Sequence, residues 1–352
     1  MALELTVEQS DLRDALRRAL SGTGPGDDVT ALIDQMGLFE IPIPEQYGGA
    51  GCGLKDVAVV MGELGRTLGR APFLPSAVRA GWALSLAGSP DSCARYLPGI
   101  AAGTSLAALV TGPRFTDSGV TAVRTGDTLT LRGSQPAVIG AERCDLLVVV
   151  ASTADGPELA VIGTDADGVA LHPRESLDLT RSLTTVVFDG AQTSAVGGPG
   201  VREALERVEA LCLTALAAEE VGAARRCLEL SVDHCSSREQ FGRVIGSFQA
   251  IKHRLVDMYV AVELAEAAVL DAAGSDDLPT GELAVAAATA QVLASRAAVF
   301  AAEESIQVHG GIGFTWEHPL HHYFRRAKTD QLILGDVPVH AETVAAALIE
   351  RS

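Results

Sequence analysis

Two glycines four residues apart, Gly242 and Gly246, interrupt what would otherwise be one very long run of helix-period sequence. Residues 201–235 and 248–273 carry apolar side chains at helical spacing. Between them lies Arg238-Glu239-Gln240-Phe241-Gly242-Arg243-Val244-Ile245-Gly246-Ser247-Phe248-Gln249. Glycines so placed disfavour regular helix and fit a turn that brings backbone close to another group, with helix resuming near Phe248. The chain must fold back on itself here. A third helical stretch, 281–308, is alanine-rich from Ala284 to Ala302 and runs into Gln307-Val308-His309-Gly310-Gly311-Ile312-Gly313-Phe314, where the paired glycines stop it. With a last segment ending near Ile349, these lengths, up to roughly 40 Å at 1.5 Å per residue, suit an antiparallel four-helix bundle. The alanines suit close helix contact, either within the chain or at an oligomer interface.

Upstream the pattern changes twice. Residues 7–20, 29–36, 54–68 and 76–87 follow helical period between Gly/Pro breaks. From about 104 to 192, short β-branched or alternating runs at 121–123, 128–132, 146–150, 159–162 and 184–188 are separated by Gly/Asp/Pro turns. Gly197-Gly198-Pro199-Gly200 reads as a linker back into helix. The expectation is a mainly α chain with a central β domain: an N-terminal helical domain over 1–103, a middle β domain over 104–198 and a C-terminal helical bundle over 199–352.

A chain of 352 residues with 47% hydrophobic content buries a large core. Its formal charge of −18 opposes nonspecific association with nucleic acid or an anionic membrane, which are themselves negative. Met1-Ala2-Leu3-Glu4-Leu5 has neither a basic start nor an apolar core, so no signal peptide is expected. No uncharged apolar run reaches the roughly 20 residues needed to span a bilayer. A soluble, cytoplasmic protein with its six cysteines kept as buried thiols is expected. No metal site is expected at His234, between Cys227 and Cys235. None is expected at His318, His321 and His322 either; these lack a suitably spaced acid or cysteine and read as a solvated loop. Trp316 reads as a packing anchor, and Arg325, Arg326 and Lys328 as surface partners of acids.

The chemistry concentrates in the two glycine-bearing segments. Arg238 is a permanently charged fork suited to phosphate oxygens, and an aromatic and an amide follow at short spacing, suited to adenine or ribose. Both segments in this order, followed by Trp316-Glu317-His318-Pro319-Leu320 and Phe324-Arg325-Arg326-Ala327-Lys328, resemble the C-terminal half of the acyl-CoA dehydrogenase family. Upstream, Ile43-Pro44-Glu45-Gln46-Tyr47-Gly48-Gly49 is similar to the family's Pro-Glu-x-Tyr-Gly-Gly turn, and Val187-Phe188 to the last strand of its middle domain. The resemblance covers essentially the whole chain. It implies an acyl-CoA dehydrogenase-like fold, FAD as cofactor, an acyl-CoA thioester as substrate and electron-transfer flavoprotein as acceptor. It assigns adenosine-side FAD contacts to Arg238, Phe241, Ile245, Phe248, Gln249, Gln307, Val308, Gly310 and Gly311.

The family pattern is broken where a base is needed. Removing a proton alpha to a thioester while hydride leaves the beta carbon requires an acceptor within hydrogen-bond reach, and members of the family use a glutamate at one of two places. Here those places fall on Leu334 and on Cys212, the latter followed by Leu213 where an arginine is usual. Leucine cannot take a proton, and a cysteine with a pKa near 8.5 is mostly thiol on an apolar helix face. Glu219 and Glu220 lie about 10 Å further along the same helix, and Asp336 follows Leu334. Segments that hold the flavin ring in the family read here as Thr111-Gly112-Pro113-Arg114-Phe115-Thr116-Asp117-Ser118 and Ala137-Val138-Ile139, with only Thr111 and Ser118 kept in kind. The combination resembles the short subunits of heteromeric actinobacterial acyl-CoA dehydrogenases acting on steroid side chains, in which a longer partner carries the glutamate in an α2β2 assembly. No catalytic residue is expected in this chain on that reading. The alternatives are a self-sufficient homotetramer using a base such as Asp336 or Glu220, and a non-enzymatic structural or CoA-binding subunit.

Overall fold

Thr6 starts the first helix: its hydroxyl accepts from Gln9 N at 3.2 Å while Gln9 Oε1 accepts from Thr6 N at 3.1 Å, a reciprocal cap that satisfies two backbone donors. In the computed structural model, which describes residues 4–350, the helices before the sheet are α1 (Val7–Ala19), α2 (Thr30–Gln35), α3 (Leu54–Thr67), α4 (Gly81–Ala87) and α5 (Pro90–Ala101). Where periodicity predicts one helix over 76–87, a π-helical run over Phe73–Ala80 leads into α4. Pro75, inside that run, has no amide hydrogen to give an α-helical ladder. Helix α5 is masked in the sequence because Pro98 interrupts its period, yet its start is marked: Ser89 Oγ accepts from Ser92 N at 3.3 Å with Pro90 as first residue.

The seven strands β1 (Ala107–Val110), β2 (Val120–Thr125), β3 (Thr128–Ile139), β4 (Leu146–Thr153), β5 (Gly156–Gly163), β6 (Val169–Arg174) and β7 (Leu183–Ser194) form one mixed sheet. Its order is β1-β4-β2-β3-β7-β6, with β5 paired to β4. Strands β1 and β6 lie outside the alternating runs of the sequence. β1 is four buried apolar residues with no alternation to read, and it pairs in parallel with β4 from Ala107↔Leu146 to Val110↔Val149. A register shift between Gln135 and Val138 in β3 holds Ala137 at φ 57°, a left-handed conformation that costs a residue with a Cβ about 1–2 kcal/mol.

The chain then returns to helix in α6 (Val201–Ser237), passes through a short hairpin, β8 (Glu239–Gln240) and β9 (Arg243–Val244), and continues in α7 (Gln249–Ala273), α8 (Thr280–His309), α9 (Leu320–Ile333) and α10 (Val337–Glu350). The last helical segment, one by periodicity, is two helices broken at Gly335, whose φ of 97° suits only glycine. Every residue from Ala210 to Val221 on α6 is buried, so this helix is a central post rather than an amphipathic wall. The alanines of α8 settle inside the chain: Ala287, Ala290, Ala294, Ala297 and Ala301 are all buried. By length and composition α8 would qualify to cross a membrane, but it packs as a core helix against α6 and α7.

Helices α3 and α6 touch backbone to backbone. A Cβ on Gly222 would collide with the Gly62 carbonyl, and one on Gly65 with the Glu219 carbonyl. Because backbone cannot swing aside as a side chain can, Gly222→Ala is expected to lower stability by about 2 kcal/mol or more, measured as a shift of the urea midpoint at unchanged slope.

Candidate functional site

Helix α6 ends at Arg238, whose backbone is extended and whose carbonyl accepts from Ile245 N at 2.8 Å. Pairing of Glu239 with Val244 and of Gln240 with Arg243 leaves Phe241-Gly242 as a two-residue turn. Both turn residues have positive φ, 54° and 78°, the pattern of a type I′ hairpin. Phe241 is 91% exposed and stands edge-on to Phe248 at 6.1 Å, while the Arg243 guanidinium lies 4.0 Å over the Phe248 ring. Ile245 and Phe248 are half-buried beneath the turn, and Gln249 opens α7 in the solvent with its amide 3.1 Å from His253 Nε2. Gly246 sits where a Cβ would press on the Cys235 carbonyl, which seats the hairpin against α6.

The end of α8 comes to the same place. The His234 ring on α6 stacks on His309 at 4.2 Å, and His309 meets His318 at 4.6 Å. Gln307 is exposed and Val308 buried. Gly310 stops the helix at φ 62°, ψ −140°, and both it and Gly311 face open space. All nine residues assigned to the adenosine side therefore lie at one end of the helical bundle. Among the described residues the Arg238 guanidinium and the Gln307 amide have no hydrogen-bond or ion-pair partner. His318, His321 and His322 are not a solvated loop. His318 meets the His309 ring, His321 the Trp316 ring and His322 the His321 ring, and burial pushes each imidazole below its ordinary range. Trp316 is no packing anchor within this chain, being 68% exposed under the Arg325 guanidinium.

The two positions at which the family resemblance places a base are apolar and enclosed. Cys212, Leu213 and Leu334 are all buried in the main core, and burial pushes the Cys212 thiol up to about 12, so it stays protonated at neutral pH. Asp336 is exposed and accepts from Val339 N at 3.3 Å at the start of α10. The two hydroxyls kept in kind are used internally: Thr111 Oγ1 donates to the Asp117 carbonyl at 3.3 Å, and Ser118 Oγ to that of Val150 at 2.5 Å. Beside them, a cleft of about 440 Å³ is lined by Arg79, Thr111, Gln135, Ala137, Lys328 and Ile333 among others.

Arg326 is buried, not a surface partner. Its Nε donates to Asp178 Oδ2 at 2.5 Å, Nη1 to Glu219 Oε1 at 2.8 Å and Nη2 to Thr180 Oγ1 at 2.6 Å. Arg181 pairs with Glu219 and lies 3.6 Å from Asp330. The carboxyls of Glu220 and Asp330, both buried, have no hydrogen-bond partner. Burial, then Asp330 and Glu219, push Glu220 well above the ordinary carboxylate range. Burial likewise raises Asp330, to about 7, against the opposing pull of Arg181 and Arg326. In the unfolded chain such an acid ionises near 3.9. Stability from this group is therefore fully present below about pH 4 and lost as pH rises to about 7. Asp330→Asn is expected to flatten that decline, read from urea midpoints at pH 5 and pH 7.5.

Two family models match the chain: "Acyl-CoA dehydrogenase, N-terminal domain" over residues 7–104 and "Acyl-CoA dehydrogenase, C-terminal domain" over 210–349. Acyl-CoA dehydrogenase IpdE2 of Mycobacterium tuberculosis is 37% identical over 296 residues, covering 84% of this chain and 78% of that protein. The chain belongs to the acyl-CoA dehydrogenase family. It is thus an oxidoreductase of the class acting on acyl-CoA. The subunits of two solved assemblies superpose over nearly its whole length: the ChsE4-ChsE5 complex of M. tuberculosis (TM-score 0.90, 26% identity, 99% of each chain) and the Tcur3481-Tcur3483 steroid ACAD G363A variant (TM-score 0.88, 27% identity, 97% of this chain and 98% of that one). At this end of the bundle the side chains of Arg238 and Gln307, exposed and without hydrogen-bond partners among the described residues, stand near Gly310 and Gly311, which face open space.

Proposed function

We propose that this chain is the base-lacking subunit of a heteromeric acyl-CoA dehydrogenase and that it lends adenosine-side contacts to FAD held mainly by a longer partner subunit. FAD supplies the hydride acceptor for α,β-desaturation. Arg238 takes phosphate oxygens, Gln307 and Gln249 take polar edges of the adenosine, and Phe241 covers an aromatic face. Ile245, Phe248 and Val308 pack beneath them, and Gly310 and Gly311 let the backbone approach. The observation that carries this reading is the contrast between the two halves of the site: a nucleotide grip with unused donors, and buried Cys212, Leu213 and Leu334 where a base would stand. Exposed Val256, Tyr259, Val260 and Leu264 on α7, with Ile312, Phe314 and Trp316 near the grip, give a partner an apolar surface to cover. The likeness to two heteromeric assemblies supports an α2β2 complex, and the word steroid in one of their names supports a steroid side-chain acyl-CoA as substrate. Electron-transfer flavoprotein is the proposed acceptor, and the cytoplasm the proposed compartment.

Purified alone, the full chain is expected to be colourless and inert toward any acyl-CoA in a dye-reduction assay. Co-expressed with a longer homologue it is expected to give yellow protein, with Arg238→Ala reducing bound flavin at least tenfold per complex. Yellow, active protein from single expression would refute the proposal in favour of a self-sufficient homotetramer. Co-purification with a partner and no flavin absorbance would favour the structural subunit.

A further inference from the structure

Arg79 is a buried arginine without a counter-charge. It lies near the end of the π-helical run, is 4% exposed, and carries its guanidinium over the Phe115 ring at 5.3 Å. Its Nε is buried without a hydrogen-bond partner, and among the described residues it makes no ion pair. The near neighbour Cys212 stays a thiol, and burial lowers Arg79 only to about 10, so the charge persists at neutral pH. Enclosing an uncompensated charge costs several kcal/mol. Elsewhere the chain avoids that cost: Arg181 and Arg326, equally buried, each hold carboxylates.

What distinguishes Arg79 is its place in the wall of the 440 Å³ cleft. Of the other cations there, Lys328 is already paired with Glu303 at 3.2 Å, and Arg174 donates to Thr185 Oγ1 at 3.3 Å. Glu175 is the acid on that wall, and it is exposed. The buried Gln135 amide adds a neutral polar group, while Leu177 and Leu332, 54% and 69% exposed, offer apolar surface. The strained Ala137 and the π-helical geometry around Arg79 both belong to this wall, and irregular backbone of these kinds gathers at ligand sites.

We propose that this cleft is a binding site for an apolar monocarboxylate, with Arg79 as the receptor of the carboxylate and Leu177 and Leu332 covering the hydrocarbon. A planar guanidinium matches a carboxylate in a two-bond fork, and a volume of about 440 Å³ lies within the range of small-molecule sites. The ligand supplies the negative charge that the fold withholds from Arg79. This site rests on the reading that the chain's own cleft carries out no desaturation, since it has no base.

The test is calorimetric titration and thermal unfolding of the full chain with octanoate, its neutral isostere octanamide and inorganic phosphate. Octanoate is expected to bind and raise Tm, octanamide to bind at least tenfold more weakly, and phosphate not to compete. Arg79→Met is expected to lose octanoate binding at least tenfold while its ligand-free Tm equals or exceeds that of the wild type. Arg79→Lys, which keeps the charge but not the fork, is expected to bind at an intermediate level and serves if the Met variant does not fold. No octanoate binding to the wild type, equal binding by the Arg79 variants, or phosphate binding as tightly as octanoate would each overturn the assignment. None of these readouts involves flavin or the partner, so their failure leaves the proposed function standing, whereas single-chain yellow protein removes the premise.

Discussion

The Arg326 guanidinium is the point at which separate parts of this fold are tied together. One planar group on α9 is bonded at once to Asp178 and Thr180, from the loop between β6 and β7, and to Glu219 on the central helix α6. Arg181, from the same loop, shares Glu219 and approaches Asp330 on α9. Such a network is geometrically demanding: each charge is tolerable in the interior only while all of its partners are in place, and losing one member typically costs roughly 3–5 kcal/mol. It therefore specifies how the sheet sits on the bundle more sharply than apolar packing alone would. Burial raises the proton affinity of the neighbouring acids Glu220 and Asp330. Glu219 is held within that network, and Glu220 is buried beside it.

Much of this was legible in the residues. The Gly242/Gly246 interruption implied a fold-back, and a hairpin with positive φ at Phe241 and Gly242 is what the chain forms there. The helix–sheet–helix order followed from the switch of period, and Leu334 and Cys212 are buried in the core as their apolar character implies. Other features were hidden for identifiable reasons. Strand β1 is too short to alternate, α5 is masked by an internal proline, and the π-helical run mimics α period closely enough to pass for it. Arg326 looked like a surface charge because local sequence gives no sign that a loop some 150 residues earlier delivers Asp178 to it. Arg79 was invisible for the opposite reason: its significance is the lack of a partner, and only tertiary structure shows that.

The residues assigned to the adenosine side also differ in how they are held. Ile245 and Phe248 are fixed by packing under the hairpin, and Gly246 by its approach to Cys235, whereas Arg238 and Gln307 are free side chains on rigid helix ends. Anchored backbone with unengaged tips is an arrangement suited to a ligand that arrives with another surface.

The type I′ turn at Phe241-Gly242 carries that point further. A bulky aromatic residue occupies a left-handed backbone conformation at the tip of a two-stranded ribbon, with its ring almost wholly in water. Such a ribbon has few internal contacts of its own, so local opening there is easier than anywhere in the buried length of α6. Amide protons at the tip should exchange with solvent quickly in the isolated chain and slowly once a neighbouring surface covers the ring, making this turn a built-in reporter of assembly.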